Sequence, residues 1–399
     1  MSLANPVFIP GPTNMPEELR QACDMPTLDH RSPMFKEFLL PAIAGVKRIL
    51  KTRSGEVVIF PATGTAGWEA AISNTLSAGD KILAARHGMF SHRWIDMCER
   101  HGLDVQIVEA AWGAGCPVAD YAAILKADRD HAIKAVLVTH NETATGVKSD
   151  VAGVRKALDD AGHPALLLVD GVSSIASMDF RMDDWGVDVA ITGSQKGFML
   201  PAGLAIVGIS QKALAAMETA TLPRCFLDFR DMLTTNASGG FPYTPPVGML
   251  RGLARAIEMI EAEGLEKVFA RHHRLAEGIR RAVAAWNLKL CAHSPDLYSD
   301  TVSTVVVPEG FDGNAFVALA AEKYGVAFGT GLGEVAGKVF RIGHLGMLTE
   351  TQALAGIATA EMVMADLDFP ITMGAGVAAA SDYYRKALNA PKAVDRQAA

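Results

Sequence analysis

The chain has 399 residues, 50% hydrophobic and 20% charged, and 37 Lys/Arg against 44 Asp/Glu leave a net charge of -7. Its length allows two or three domains around a large core, and its acidic balance argues against a nucleic-acid binder, which wants a basic face. Cys23, Cys98, Cys116, Cys225 and Cys291 are scattered without C-x-x-C spacing and read as reduced cytoplasmic thiols, not a disulfide framework or zinc site; no stretch approaches the about 20 apolar residues of a membrane span, and no secretory signal opens the chain.

Strands and helices alternate along the first two thirds. Apolar runs predict strands at 57–60, 81–85, 105–108, 135–139, 165–170, 187–191 and 204–208. Helical patterns fall between several of them, at 64–76, 90–101 and 151–161. Such alternation means a mostly parallel sheet, here seven-stranded, flanked by helices on both faces. Pro242-Tyr243-Thr244-Pro245-Pro246 then punctuates the chain. Long helical patterns follow at 247–263 and 265–286, then a strand at 301–307, a helix at 314–324, a strand at 339–342 and a helix at 349–366. This predicts an α/β protein divided near Gly264: a large domain over 21–263, a smaller α+β domain over 264–386, and a flexible tail over 387–399.

Ligands of open α/β sheets bind outside the carboxyl ends of the strands. Two residues stand at such ends, Asp170 after 165–169 and Lys196 in Gly193-Ser194-Gln195-Lys196-Gly197. Pyridoxal phosphate chemistry needs such a pair: an amine to hold the aldehyde as a Schiff base, and a carboxylate to keep the pyridine nitrogen protonated. Pro61-Ala62-Thr63-Gly64-Thr65-Ala66-Gly67 is a small-residue turn into a helix, suited to a phosphate. Phe90 could stack on a planar cofactor, and the polar run from His140 to Gly146 could line a site. Each has a plainer reading. Lys196 could be a solvated loop lysine, Asp170 a helix cap, Phe90 a core residue, the glycine turn an ordinary connection and the polar run a turn.

Taken together, these pieces resemble the class V, fold-type I aminotransferases, specifically the alanine/serine/aspartate–glyoxylate group. The matching motifs are Pro10-Gly11-Pro12-Thr13-Asn14, Asp29-His30-Arg31-Ser32, Thr63-Gly64-Thr65, His140-Asn141-Glu142-Thr143-Ala144-Thr145-Gly146, Val169-Asp170-Gly171-Val172-Ser173-Ser174, Gly193-Ser194-Gln195-Lys196-Gly197, Tyr243-Thr244-Pro245-Pro246 and Phe340-Arg341-Ile342-Gly343. The resemblance implies pyridoxal 5'-phosphate bound through Lys196, the base of the proton shift, with Asp170 at the pyridine nitrogen. It puts Phe90 on the cofactor ring, where the family often has tryptophan. Thr63, Gly64, Thr65 and Gln195 would hold the phosphate, and Thr143 would lie near the phenolic oxygen. Thr244 would reach a neighbouring subunit's phosphate, which implies a homodimer or a dimer of dimers. Arg341 would clamp the substrate carboxylate, and Pro12, Thr13 and Tyr243 would border the substrate, with residues 1–20 forming part of that pocket.

The implied reaction is ping-pong transfer of an amino group from L-aspartate or L-serine to glyoxylate, giving glycine and oxaloacetate or hydroxypyruvate. Phe90 to Met97 and Gly343-His344-Leu345-Gly346 look most like bacterial serine–glyoxylate and aspartate–glyoxylate enzymes. An aspartate donor needs a further cation or donor for its β-carboxylate, and His30, Arg31 and Arg93 are the candidates. A cysteine desulfurase of the same fold type would need a catalytic cysteine, and Cys225 and Cys291 stand in unconvincing contexts. Gly329-Thr330-Gly331-Leu332-Gly333 weakly suggests a non-catalytic nucleotide or cofactor binder. His87, His92, Cys98 and His101 fit no standard metal spacing, so no metal is expected.

Overall fold

The structure is a computed structural model that describes residues 6–389. Its centre is a seven-stranded sheet. In spatial order the strands are Glu56–Phe60, Ala205–Ile209, Val189–Gly193, Leu166–Asp170, Ile133–Thr139, Lys81–Arg86 and Asp104–Glu109. Six run in one direction and Ala205–Ile209 runs against them. Leu166–Asp170, Val189–Gly193 and Ala205–Ile209 are buried along their whole length. Strands covered on both faces carry continuous apolar runs instead of alternation, and that is why they stand out in the sequence. The edge strand Asp104–Glu109 is only half-buried.

Register sets the site. Thr139 lies opposite Asp170, and Asp170 opposite Ile191. The ends of three adjacent strands are therefore level, and the chain segments leaving them crowd together.

A second sheet has the order Val7–Phe8, Ala327–Thr330, Val339–Gly343, Val302–Val306 and Lys289–Leu290. The described residues hold two hydrophobic clusters. One runs from Leu19 to Val268 around the large sheet; the other joins Phe8 to residues between Leu275 and Tyr384. Gly264, at φ +89°, breaks helix Val247–Glu263 from helix Leu265–Ala285. This left-handed backbone suits glycine, which has no Cβ to clash. Val268 on the second helix joins the first cluster, whereas Leu275 and Ile279 join the other.

Three features depart from the sequence expectations. The N-terminal segment is not separate, because Val7–Phe8 pairs in parallel with Ala327 and Phe328, and Phe8 is buried in the second cluster. Residues 387–389 are not tail. They end helix Ala375–Asn389, which packs on Leu265–Ala285 with Tyr384 donating to the Leu275 carbonyl at 2.8 Å. Residues 390–399 lie outside the described residues. Helix Pro33–Ile49 does not show in the apolar pattern, but it begins with Ser32 accepting from the Met34 amide and Pro33 in the first turn, a favourable start. No described helix is long and apolar enough to cross a membrane.

Candidate active site

Lys196 follows strand Val189–Gly193 in a tight turn. Thr13 donates its amide to Gln195 and its hydroxyl to the Lys196 carbonyl, at 3.3 and 3.4 Å. The N-terminal segment is thus strapped across the lysine, and the Lys196 amine donates to the Pro10 carbonyl. Gly11 has φ +114°, a backbone conformation that favours glycine, and a Cβ there would lie 2.5 Å from the end of the Lys196 side chain. Burial pushes the Lys196 amine down to about 8, Arg341 pushes the same way, and Asp170 opposes them.

Asp170 ends its strand buried. One oxygen accepts the Val172 amide at 2.9 Å, yet the carboxylate closes no ion pair with any described residue. Burial pushes it up to about 7, with the Val172 amide opposing and Glu142 adding to the rise. An acid in this state lacks a cationic partner.

Arg341 sits on strand Val339–Gly343 and is 7% exposed. Its Nε donates to the Thr330 carbonyl at 2.7 Å and one terminal nitrogen to the Thr143 carbonyl at 3.0 Å. Burial lowers it to about 10 and Glu142 opposes that, so it stays charged. Two bonds hold the guanidinium plane, and the other terminal nitrogen makes no hydrogen bond to a described residue and can donate to a carboxylate.

The phosphate candidates converge. Helix Gly64–Thr75 begins at Thr63, whose side chain makes no capping bond. The Gly64 and Thr65 amides, first-turn donors with no intrahelical acceptor, close no bond within the described residues. The Gln195 side-chain oxygen is buried without a partner, and a Cβ on Gly193 would sit 2.8 Å from it. Helix dipole, free amides and free hydroxyls suit an anion. With Asp170 short of a cation, these residues fit a phosphorylated pyridinium aldehyde.

Phe90 is half-buried at the start of helix Met89–Arg100, with the Arg93 guanidinium 5.6 Å from its ring centre. A cavity of about 380 Å³ is lined by Thr65, Trp68, Phe90 and Arg93 among others. Thr143 is buried, and its carbonyl serves Arg341. Tyr243 and Thr244 stand apart. They line a cavity of about 810 Å³ with His30, Arg31 and Lys36, which includes none of the residues around Lys196. Tyr243 donates to Asp231 at 3.1 Å and to the Cys225 carbonyl at 3.3 Å.

Sequence alone assigns Glu142 no role, and Pro10 only a place beside the substrate pocket. The Pro10 carbonyl meets Lys196, and the charge of the buried Glu142 carboxylate is felt by both Arg341 and Asp170, though it pairs with neither. The only signal for Glu142 was its place inside a polar run after a buried strand. Cys291, the desulfurase candidate, has its thiol pushed up to about 11 by burial, away from a nucleophile's range.

The family described as aminotransferase class-V matches residues 27–344. An L-aspartate–glyoxylate aminotransferase from Paracoccus denitrificans (strain Pd 1222) is 68% identical over 386 residues, covering 97% of this chain and 98% of that protein. A serine–glyoxylate aminotransferase from Hyphomicrobium methylovorum is 54% identical over 388 residues, covering 97% of this chain and 96% of that protein. The crystal structure of pyridoxamine–pyruvate aminotransferase from Mesorhizobium loti superposes with a TM-score of 0.89 at 28% identity, covering 96% and 98% of the two chains. With this match over most of its length, the chain belongs to the class V aminotransferases, pyridoxal-phosphate enzymes of fold type I.

Proposed function

We propose that the protein transfers the amino group of L-aspartate to glyoxylate, giving oxaloacetate and glycine, with L-serine as the alternative donor. The observation that carries transamination is that a depressed amine and a buried carboxylate without a cation, at the ends of two central strands of the large sheet, sense each other and a tethered arginine on the second sheet. Aspartate is preferred because the aspartate-named relative is 68% identical and the serine-named one 54%.

Thr63, Gly64, Thr65 and Gln195 would hold the cofactor phosphate, Asp170 the ring nitrogen, Phe90 the ring face and Lys196 the aldehyde carbon; Thr143 would border the phenolic oxygen. Bound pyridoxal phosphate supplies the electron sink for Cα–H cleavage. The chain's residues do the rest. Arg341 grips the carboxylate common to donor and acceptor and fixes the Cα–H direction. The Lys196 amine takes the donor's Cα proton, and its depressed affinity leaves a working share neutral near neutral pH. In the second half-reaction it delivers a proton to the former glyoxylate carbon. Asp170 holds negative charge against the ring nitrogen. Pro12 and Thr13, in the segment over Lys196, narrow the space to fit a two-carbon acid. The same reading divides the chain near Gly264 into a large cofactor-holding unit and a smaller C-terminal one.

The donor is tested by assaying purified holoenzyme with glyoxylate and a panel of amino acids. Aspartate should give the highest kcat/KM. A tenfold advantage for serine would overturn that choice, and no glyoxylate turnover with any donor would overturn the function.

We also propose that the active unit is a homodimer or a pair of them, in which Thr244 serves the partner's phosphate and Tyr243 borders the partner's substrate. Exposed apolar side chains stand near this cavity in the chain, although they do not line it. Phe226, 44% exposed, meets the Tyr243 ring in a tilted contact at 5.2 Å, and Met34 and Leu40 lie on helix Pro33–Ile49 at 55% and 40% exposure. A closed two-fold contact would cover them and make two equivalent shared sites. A Lys196→Ala chain co-assembled with a Thr244→Asp chain should regain activity, because one of the two sites in each mixed dimer is intact. A fully active monomer would refute the arrangement.

A further inference from the structure

Glu142 is fully buried at the end of a two-residue strand, and no role follows for it from the steps above. Its carboxylate accepts three backbone amides. One oxygen takes those of Phe90 and Ser91, both at 3.0 Å, and the other takes Ala144 at 3.0 Å. Phe90 and Ser91 lie in the first turn of helix Met89–Arg100, where amides have no intrahelical acceptor. The local N-cap is Gly88, which has no side chain to cap them. Glu142 does so from 52 residues away in sequence. Gly88 makes room: a Cβ there would lie 2.2 Å from Glu142 Cγ and 2.6 Å from its oxygen. The backbone on the other side leads to the clamp, since the next residue, Thr143, offers its carbonyl to Arg341.

We infer that Glu142 is a positioning residue for transamination: its buried carboxylate, seated against Gly88, holds the Phe90 stacking face and the Thr143–Arg341 clamp in one frame. This rests on the aminotransferase reading of the site. The carboxylate has an acceptor for each of the three amides. A glutamine of the same shape must turn its NH₂ toward an amide donor, so one side of the frame is released. Phe90 or the Thr143 carbonyl then shifts, and the cofactor face and the clamp loosen together.

Two variants approach the contact from opposite sides. Glu142→Gln removes the charge and keeps the shape. Gly88→Ala keeps the charge and displaces the side chain. Apoprotein is titrated with pyridoxal phosphate, and KM is measured for glyoxylate and for aspartate with holoenzyme. Since hydrogen bonds to charged groups are the strong class, each variant should weaken cofactor binding about tenfold and raise both KM values by a common factor of about ten. The double variant should be no worse than the more severe single one, because both break one contact. A folded variant whose cofactor affinity and both KM values stay within twofold of the parent would overturn the role, even if its Tm falls, and so would effects that multiply in the double variant. If Glu142→Gln does not fold, Gly88→Ala carries the same test. The cofactor titration uses no substrate, so a failure of the proposed reaction in the parent enzyme shows separately.

Discussion

Replacing Lys196 with alanine should abolish transamination, with kcat down by at least about a thousandfold, because general acid–base work by one positioned group alone contributes on that order. The variant should also lose the visible absorbance of cofactor bound through the lysine. Normal turnover by Lys196→Ala would remove the basis for the whole site. The parent apoprotein offers a test of the physical state of this amine. Only the neutral amine attacks an aldehyde, and burial with Arg341 nearby holds Lys196 at about 8. Cofactor capture should therefore speed up as pH rises through about 8. Arg341 lowers the lysine, so an Arg341→Met apoprotein should show its midpoint at higher pH. A midpoint that stays put would mean that the two cations do not sense each other.

Arg341→Lys should reduce kcat/KM about ten- to a hundredfold for both glyoxylate and the amino donor, since hydrogen bonds to charged groups each contribute about 1.5–3 kcal/mol. The charge survives the substitution but the fork does not. In the parent, Nε is tied to Thr330 and one terminal nitrogen to Thr143, while the other terminal nitrogen stays available to the substrate. One ammonium cannot keep both tethers and still grip a carboxylate in a plane. Cofactor content should be normal, because none of these contacts touches the phosphate cradle. Unchanged kinetics would place Arg341 outside the site, and lost cofactor would make its role structural. The equal loss for both substrates is the discriminating part, because under the proposed role donor and acceptor share only the carboxylate that Arg341 would meet.

Much of the large sheet is legible in the sequence for one physical reason. Strands buried on both faces must be apolar throughout, so 165–170, 187–191 and 204–208 announce themselves, each within two residues of the strand ends in the structure. The change in register of pattern at Gly264 is legible too, because two long helical periods meet at a residue that only a left-handed turn explains. Helices whose apolar stripe is diluted, such as Pro33–Ile49 with its internal Pro41, stay hidden. Strand Ala327–Thr330 is too short and glycine-containing to show against its loops.

The residue types near the strand ends pointed to the proposed chemistry. Asp170, Lys196 and the Thr63-Gly64-Thr65 turn are conspicuous because a charged or glycine-rich group follows an apolar run, and Arg341 because it interrupts one; such groups at or within buried strands need partners. Tertiary structure alone decided which of them meet. Level register puts the end of strand 133–139 beside Asp170, and folding back of Val7–Phe8 onto the second sheet lays Pro10 and Thr13 over Lys196. The same packing carries Tyr243 and Thr244 to a separate face with His30 and Arg31, and turns Glu142 into the cap of a helix that begins at Met89. These contacts join residues far apart along the chain, and no local pattern records them, because a hydrogen bond depends on where two segments lie in space and not on their spacing in sequence.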